Sequence, residues 1–132
     1  MSPMASLNGR SWVTIIQAMS NAITESCDQL TALDSEVGDG DHGVNMMAAM
    51  QAAANQVDQL VNPTPDQVLK VTGPAVMNEM GGASGVIFGS FFRGGSRAVN
   101  GKPSLGLAEV ATMMRAGLAE VQKRGKAQPG DK

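Results

Sequence analysis

Tyrosine is absent, and aromatic side chains make up only 3% of the 132 residues. A chain so poor in aromatics has no platform on which nucleic-acid bases could stack. Neither sign of charge is in real excess: ten Lys and Arg stand against twelve Asp and Glu, a net charge of −2. That balance leaves no electrostatic footprint for nucleic acid or for an anionic membrane surface. Cysteine occurs once, as Cys27, so no disulfide can form within the chain and a reducing compartment is expected. Cys27 falls within an apolar helical pattern and reads as core rather than as a catalytic thiol. No apolar run approaches the ~20 residues needed to cross a bilayer, and the N-terminus lacks the apolar stretch of a signal peptide. The expected location is the cytoplasm. Alternating strand patterns, internal repeats and low-complexity segments are also missing.

What remains is helical. Length and composition fit one globular domain, and ten Met with abundant Ala suggest an adaptable helical core. Residues 1–7 read as a flexible tail. Asn8 can cap a first helix over about Gly9–Leu33, with a bend allowed within so long a segment. Its apolar stripe is Trp12, Ile15, Ile16, Met19, Ile23, Cys27 and Leu30. A second helix, with Asp41 as N-cap, should run to about Leu60. The Asn62-Pro63-Thr64-Pro65 break leads into a third, about Pro65–Met80, with an interruption or kink at Pro74. A fourth should follow the glycine-rich turn at Gly81–Gly85 and end near Val99–Gly101. The fifth has Ser104 as candidate cap, an apolar face of Leu107, Val110, Ala111, Met114, Leu118 and Val121, and Gly125 as its stop. The fold class predicted is all-α.

The chain is organised around the stretch from Leu33 to Met46, which carries Asp34, Asp39 and Asp41 within eight residues. Three clustered carboxylates repel one another unless something positive sits among them. Carboxylate oxygens are hard ligands, so a divalent cation such as Mg²⁺ is the natural counter-charge. An EF-hand does not fit: with Asp39 at position 1, position 5 is Gly43 and position 12 is Met50. Gly38-x-Gly40-x-x-Gly43 matches the dinucleotide fingerprint literally, but no strand precedes it and two loop aspartates would repel a bare pyrophosphate. Gly101-Lys102-Pro103-Ser104 lacks the spacing of a P-loop. The helix start after Asp41 and the turn Gly81-Gly82-Ala83-Ser84-Gly85 both offer backbone N–H groups to an anion. The loop is therefore expected to hold metal, and the metal to hold nucleotide phosphates.

Three motifs together resemble one family. Leu33 through Met46, Gly81–Gly85 followed by Phe88-Gly89, and Arg124 through Lys132 look like the nucleotide-binding L subunit, or L domain, of dihydroxyacetone kinases. The resemblance runs from about Gly9 to the last residue. It implies an antiparallel helical barrel of eight helices, of which about five are present, so the chain reads as a partial L domain that lacks the C-terminal helices. Apolar faces should then stay exposed or pair with another copy. It implies two Mg²⁺ ions on Asp34, Asp39 and Asp41, with ADP or ATP as the nucleotide. It also implies that His42, Gly43, Val44 and Asn45 line the nucleotide, that Ala83 and Ser84 contact phosphate, and that Gly125 lies near the adenine. No catalytic residue separate from the metal site is implied, and His42 is not the family's substrate-binding histidine. The implied activity is phosphoryl transfer to dihydroxyacetone or a similar small ketose held on a K subunit. The phosphoryl group would come from ATP, or from ADP recharged by a phosphotransferase-system protein. The alternatives are a nucleotide-binding regulatory module docking on a transcription factor and an inactive helical fragment.

Overall fold

In the computed structural model, which describes residues 5–126 and 128–131, the chain is a set of six helices. They are α1 (Gly9–Glu25), α2 (Cys27–Ser35), α3 (His42–Asp58), α4 (Pro65–Met80), α5 (Gly82–Ala98) and α6 (Leu107–Gly125). The all-α expectation holds, with one more helix than predicted. The long first segment is two helices, divided at Ser26, whose backbone (φ −98°, ψ 5°) has left the helical region. Ser26 N–H still reaches the carbonyls of Ala22 and Ile23 at 3.1 Å, so the break costs few hydrogen bonds.

Local chemistry explains the boundaries. Asn8 caps α1, its Oδ1 accepting from Ser11 N–H at 2.9 Å. Thr64 opens α4 with Pro65 in the first turn, and the Gln67 side chain returns to accept from Thr64 N–H at 3.0 Å. Of the interruption or kink expected at Pro74, the interruption does not occur. The helix runs through that residue, with the proline ring on the exposed side. Ser104 does not cap α6. It lies in a two-residue strand, β2 (Ser104–Leu105), paired antiparallel with β1 (Leu7–Asn8). Gly106 takes the cap position, its N–H donating to Glu109 Oε1 at 2.9 Å. Gly125 is the last residue of α6, and the left-handed stop is Lys126 at φ 56°. Leu7 pairs with Leu105 and so is not part of a loose tail; Met1–Met4 lie outside the described residues.

The helices run up and down. Gln17 bonds Asp58 and Thr24 bonds Gln51, which sets α1 and α3 antiparallel. Ser96 Oγ donates to the Asp66 carbonyl at 2.9 Å while Gly89 lies against Gly73, so α4 and α5 are antiparallel too. Phe91 lies against Gly117 and Gly95 against Met113, which makes α6 antiparallel to α5. Val13 and Ile16 of α1, Ala53 and Val57 of α3, and Val68, Leu69 and Val76 of α4 form the centre of the core. Burying each of the larger side chains contributes about 1.5–3 kcal/mol.

The core has an open side. α6 packs chiefly on α5. None of its predicted core face is fully buried: Val110, Ala111 and Val121 are half-buried, and Leu107, Met114 and Leu118 remain 69%, 52% and 54% exposed, while the buried residues are Met113 and Gly117, which the prediction did not include. An apolar groove of about 320 Å³ lies between Trp12, Ile15 and Met19 of α1 and Val110, Met113 and Met114 of α6. Nothing among the described residues covers this groove. Cys27 and Leu30, predicted core, are only half-buried, because α2 contributes no fully buried residue.

Candidate metal and nucleotide site

The acidic loop Glu36–Asp41 joins α2 to α3 at one end of the helix set. Two contacts fix its shape. The Asp34 carbonyl accepts from Val37 N–H at 3.2 Å and Gly38 N–H at 2.6 Å, turning the chain off the end of α2. Asp34 Oδ2 then accepts from the backbone N–H of Asp41 at 3.0 Å and of His42 at 3.2 Å. The N-terminus of α3 is therefore capped from across the loop. Asp41 stands at the N-cap position, as expected, but its own side chain makes no capping bond. Its carboxylate is left for the cluster.

Glycine makes the turn possible. Gly40 sits at φ 76°, in the left-handed region, and a Cβ there would lie 2.5 Å from Ser35 Oγ. Gly43, in the first turn of α3, is buried against the Cys27 carbonyl and Thr31 of α2, with no room for a side chain. That contact sets the distance between the two helices that carry the aspartates.

As a result Asp34, Asp39 and Asp41 each offer a carboxylate oxygen, and these oxygens lie within 4.8 Å of one another. Asp34 is half-buried and the other two are exposed. The donor set suits a divalent cation that prefers hard oxygen ligands and keeps several waters, as Mg²⁺ does. Asp34 is held by two N–H bonds, the outer-shell support that orients a ligating carboxylate. Glu36 is exposed and lies outside the cluster.

The up-and-down course brings the other predicted residues to the same end. His42, Gly43, Val44 and Asn45 form the first turn of α3. Val44 is exposed, His42 and Asn45 are half-buried, and Gly43 is the packing contact already described. Gly9, at the start of α1, lies against Pro63 just ahead of α4, so α4 runs antiparallel to α3, and its last residues and the start of α5 lie toward the end that holds His42. Gly81 closes α4 and opens α5, at φ 62°, and Gly82 follows at φ 56°. The cap position of α5 carries no side chain, so Ala83 and Ser84 stand in a helical turn whose N–H groups have no side-chain cap. The register that sets Phe91 against Gly117 and Gly95 against Met113 puts Ala83 level with Gly125. The third sequence motif ends in residues 127 and 132, which lie outside those described.

Two site features were not foreseen. One is the capping of α3 by Asp34; the signal for it was present, since Asp34 is the only acid at the end of α2. The other is Thr31, which packs on Gly43 and whose carbonyl accepts from Ser35 Oγ at 2.8 Å, stiffening the end of α2.

Comparison with known proteins gives a consistent picture. Residues 36–132 match the DAK2 domain. The chain is 41% identical over 120 residues to the ADP-binding subunit DhaL of PEP-dependent dihydroxyacetone kinase 2 from Listeria innocua, covering 89% of this chain and 56% of that protein. It is 41% identical over 109 residues to the corresponding DhaL subunit of Escherichia coli, covering 83% of this chain and 51% of that one. Human triokinase/FMN cyclase is 36% identical over 106 residues, 80% of this chain but 18% of its own length. The chain thus spans about half the length of the DhaL subunits it matches. Asp34 lies just ahead of the matched DAK2 residues, while Asp39, Asp41 and the glycine turn lie within them. With that match over most of its length and an all-α fold of the same kind, this chain belongs to the DAK2 domain family as a DhaL-type chain.

Proposed function

We propose that this chain is the magnesium- and nucleotide-binding part of a dihydroxyacetone-kinase-type phosphotransferase. The observation that carries the reading is the convergence of Asp34, Asp39 and Asp41 oxygens within 4.8 Å, at the end of the molecule where α5 begins uncapped. Asp39 and Asp41 present exposed carboxylates to the metal, and Asp34 holds the loop in shape while offering its second oxygen. A magnesium ion held by Asp34, Asp39 and Asp41 would supply positive charge to offset that of nucleotide phosphates. The N–H groups at the start of α5, near Ala83 and Ser84, supply fixed donors that need no reorganisation as phosphate arrives. His42, Val44 and Asn45 border the nucleotide on the α3 side, and Gly125 lies toward its base. Val44 offers apolar surface there because it is exposed.

The relatives' names describe ADP-binding subunits of PEP- and PTS-dependent kinases. They support a nucleotide retained as ADP and recharged by a phosphotransferase-system donor, with the small ketose held on a separate K-type subunit. No helix among the described residues is long and apolar enough to cross a membrane.

Calorimetry of ADP binding tests the reading. Wild-type chain should bind ADP in the presence of Mg²⁺ and lose that binding when EDTA is added. Asp39→Ala should weaken Mg·ADP binding about 100-fold or more, a loss of about 2.8 kcal/mol. Unchanged affinity in that variant, or equal binding with and without Mg²⁺, would overturn the assignment.

A further inference from the structure

A second concave surface lies on the outer face of α4 and α5, away from the acidic loop. The two helices touch through glycine: a Cβ on Gly73 would lie 3.0 Å from the Gly89 carbonyl oxygen. With no side chains at that seam, the surface sinks between the longer residues on either side. The result is a groove of about 700 Å³ with Gly73, Pro74, Met77 and Gly89 along its floor.

Its walls are basic. Lys70 comes from α4, and Arg93 and Arg97, one turn apart, come from α5. No carboxylate lines the groove, although the chain as a whole carries a net charge of −2. Arg97 is 58% exposed and bonds Glu120 of α6 at 3.0 Å. Among the described residues, Lys70 and Arg93 have neither an ion-pair nor a hydrogen-bond partner. The one hydroxyl in the groove, on Ser96, is already committed to the Asp66 carbonyl at 2.9 Å. Small-molecule sites rely on a few polar groups fixed in place. Here the charged groups are long, solvated cations around an apolar trough, and apart from Ser96 the remaining polar side chains, Asn78 and Asn100, are exposed carboxamides. That is the pattern of an interface whose charges steer a protein partner and set its register.

We propose that this α4–α5 groove docks an acidic segment of a protein partner, with an apolar side chain on the Gly73–Pro74–Gly89 floor and carboxylates on Lys70, Arg93 and Arg97. The assignment is independent of the nucleotide reading, since none of these residues belongs to the metal loop.

A short fluorescein-labelled peptide of glutamate and leucine serves as probe for the full chain. Saturable binding is expected by anisotropy, with amide NMR shifts confined to residues 70–78 and 89–100. The double variant Lys70→Glu/Arg93→Glu should weaken binding about tenfold or more. Arg115→Glu/Lys123→Glu, with the same change in net charge on α6, should leave it within about twofold. Lys70→Gln/Arg93→Gln should also bind weakly while keeping wild-type helicity, which separates loss of docking from loss of fold. Equal weakening in the two charge-reversal variants would overturn the proposal, as would shifts at the apolar α1–α6 groove. So would equal affinity for a peptide with leucine replaced by serine. Displacement of the peptide by inorganic pyrophosphate with matching shifts would make the groove a small-anion site and overturn it as well.

Discussion

Two turns at the same end of the molecule do opposite things with glycine. In the acidic loop, Gly40 bends the chain so that side chains converge, and the product is a cluster of three carboxylates. At Gly81-Gly82 two successive left-handed residues join α4 to α5 with no side chain at all, and the product is bare backbone. A Cβ on either Gly81 or Gly82 would meet nothing within 4 Å, so only the backbone conformation demands glycine there. A Cβ on Gly43, just past the acidic loop, would collide with α2, so packing demands it. One turn brings negative charge and the other brings N–H donors. A ligand that carries both metal and phosphate needs the two together.

The comparison can be broken by substitutions ranked on one scale, the change in unfolding free energy. Gly43→Val should have the largest effect, about 3 kcal/mol, because α2 and α3 must separate to admit it. Denaturant titration would show this, and a loss below about 1 kcal/mol would mean that the α2–α3 contact is looser than it looks. Asp34→Ala should come next, at about 1–2 kcal/mol, since two N–H groups at the start of α3 lose their acceptor. Gly82→Ala should cost about 1 kcal/mol through the left-handed backbone alone. Asp39→Ala should change stability by less than about 0.5 kcal/mol without metal, because Asp39 is exposed and makes no bond. With Mg²⁺ and ADP present, the wild-type melting temperature should rise and that of Asp39→Ala should not. If Asp34→Ala and Asp39→Ala proved equally destabilising without ligand, the division of labour within the cluster would be wrong.

The smallest effect concerns pH. The Arg124 guanidinium, and then Arg97, hold the Glu120 carboxyl below its ordinary value of 4.5. A depressed carboxylate adds stability that is complete above its unfolded pKa and lost as pH falls through the folded one. The wild-type chain should therefore lose slightly more stability than Glu120→Gln on acidification below pH 4.5, measured by thermal melts in paired buffers.

Much of this site could be read directly from the residues. The convergence of Asp34, Asp39 and Asp41 was legible because three carboxylates so close in sequence, with glycines between them, can be brought together by one turn. The glycine turn was legible because Gly-Gly ahead of an apolar run leaves few alternatives to a sharp reversal. Helix positions followed from apolar spacing, but spacing cannot report what lies opposite. Leu107, Met114 and Leu118 repeat like core residues, and the structure leaves them open because nothing among the described residues covers them. A bend within the first long segment is allowed by the sequence, but its place at Ser26 is not legible, for a different reason. It involves neither Pro nor Gly, and its backbone groups stay bonded through the bend. Pro74 does not interrupt α4, because a helix packed along one whole side tolerates a proline on its wet face.

Gly125 belongs to a helix with a single main neighbour. Elements held from one side exchange their amide protons through small openings, well before the molecule unfolds as a whole. Protection should therefore fall from α4 toward the end of α6. On the proposed reading, the base of a bound nucleotide would then rest on a soft wall of its site.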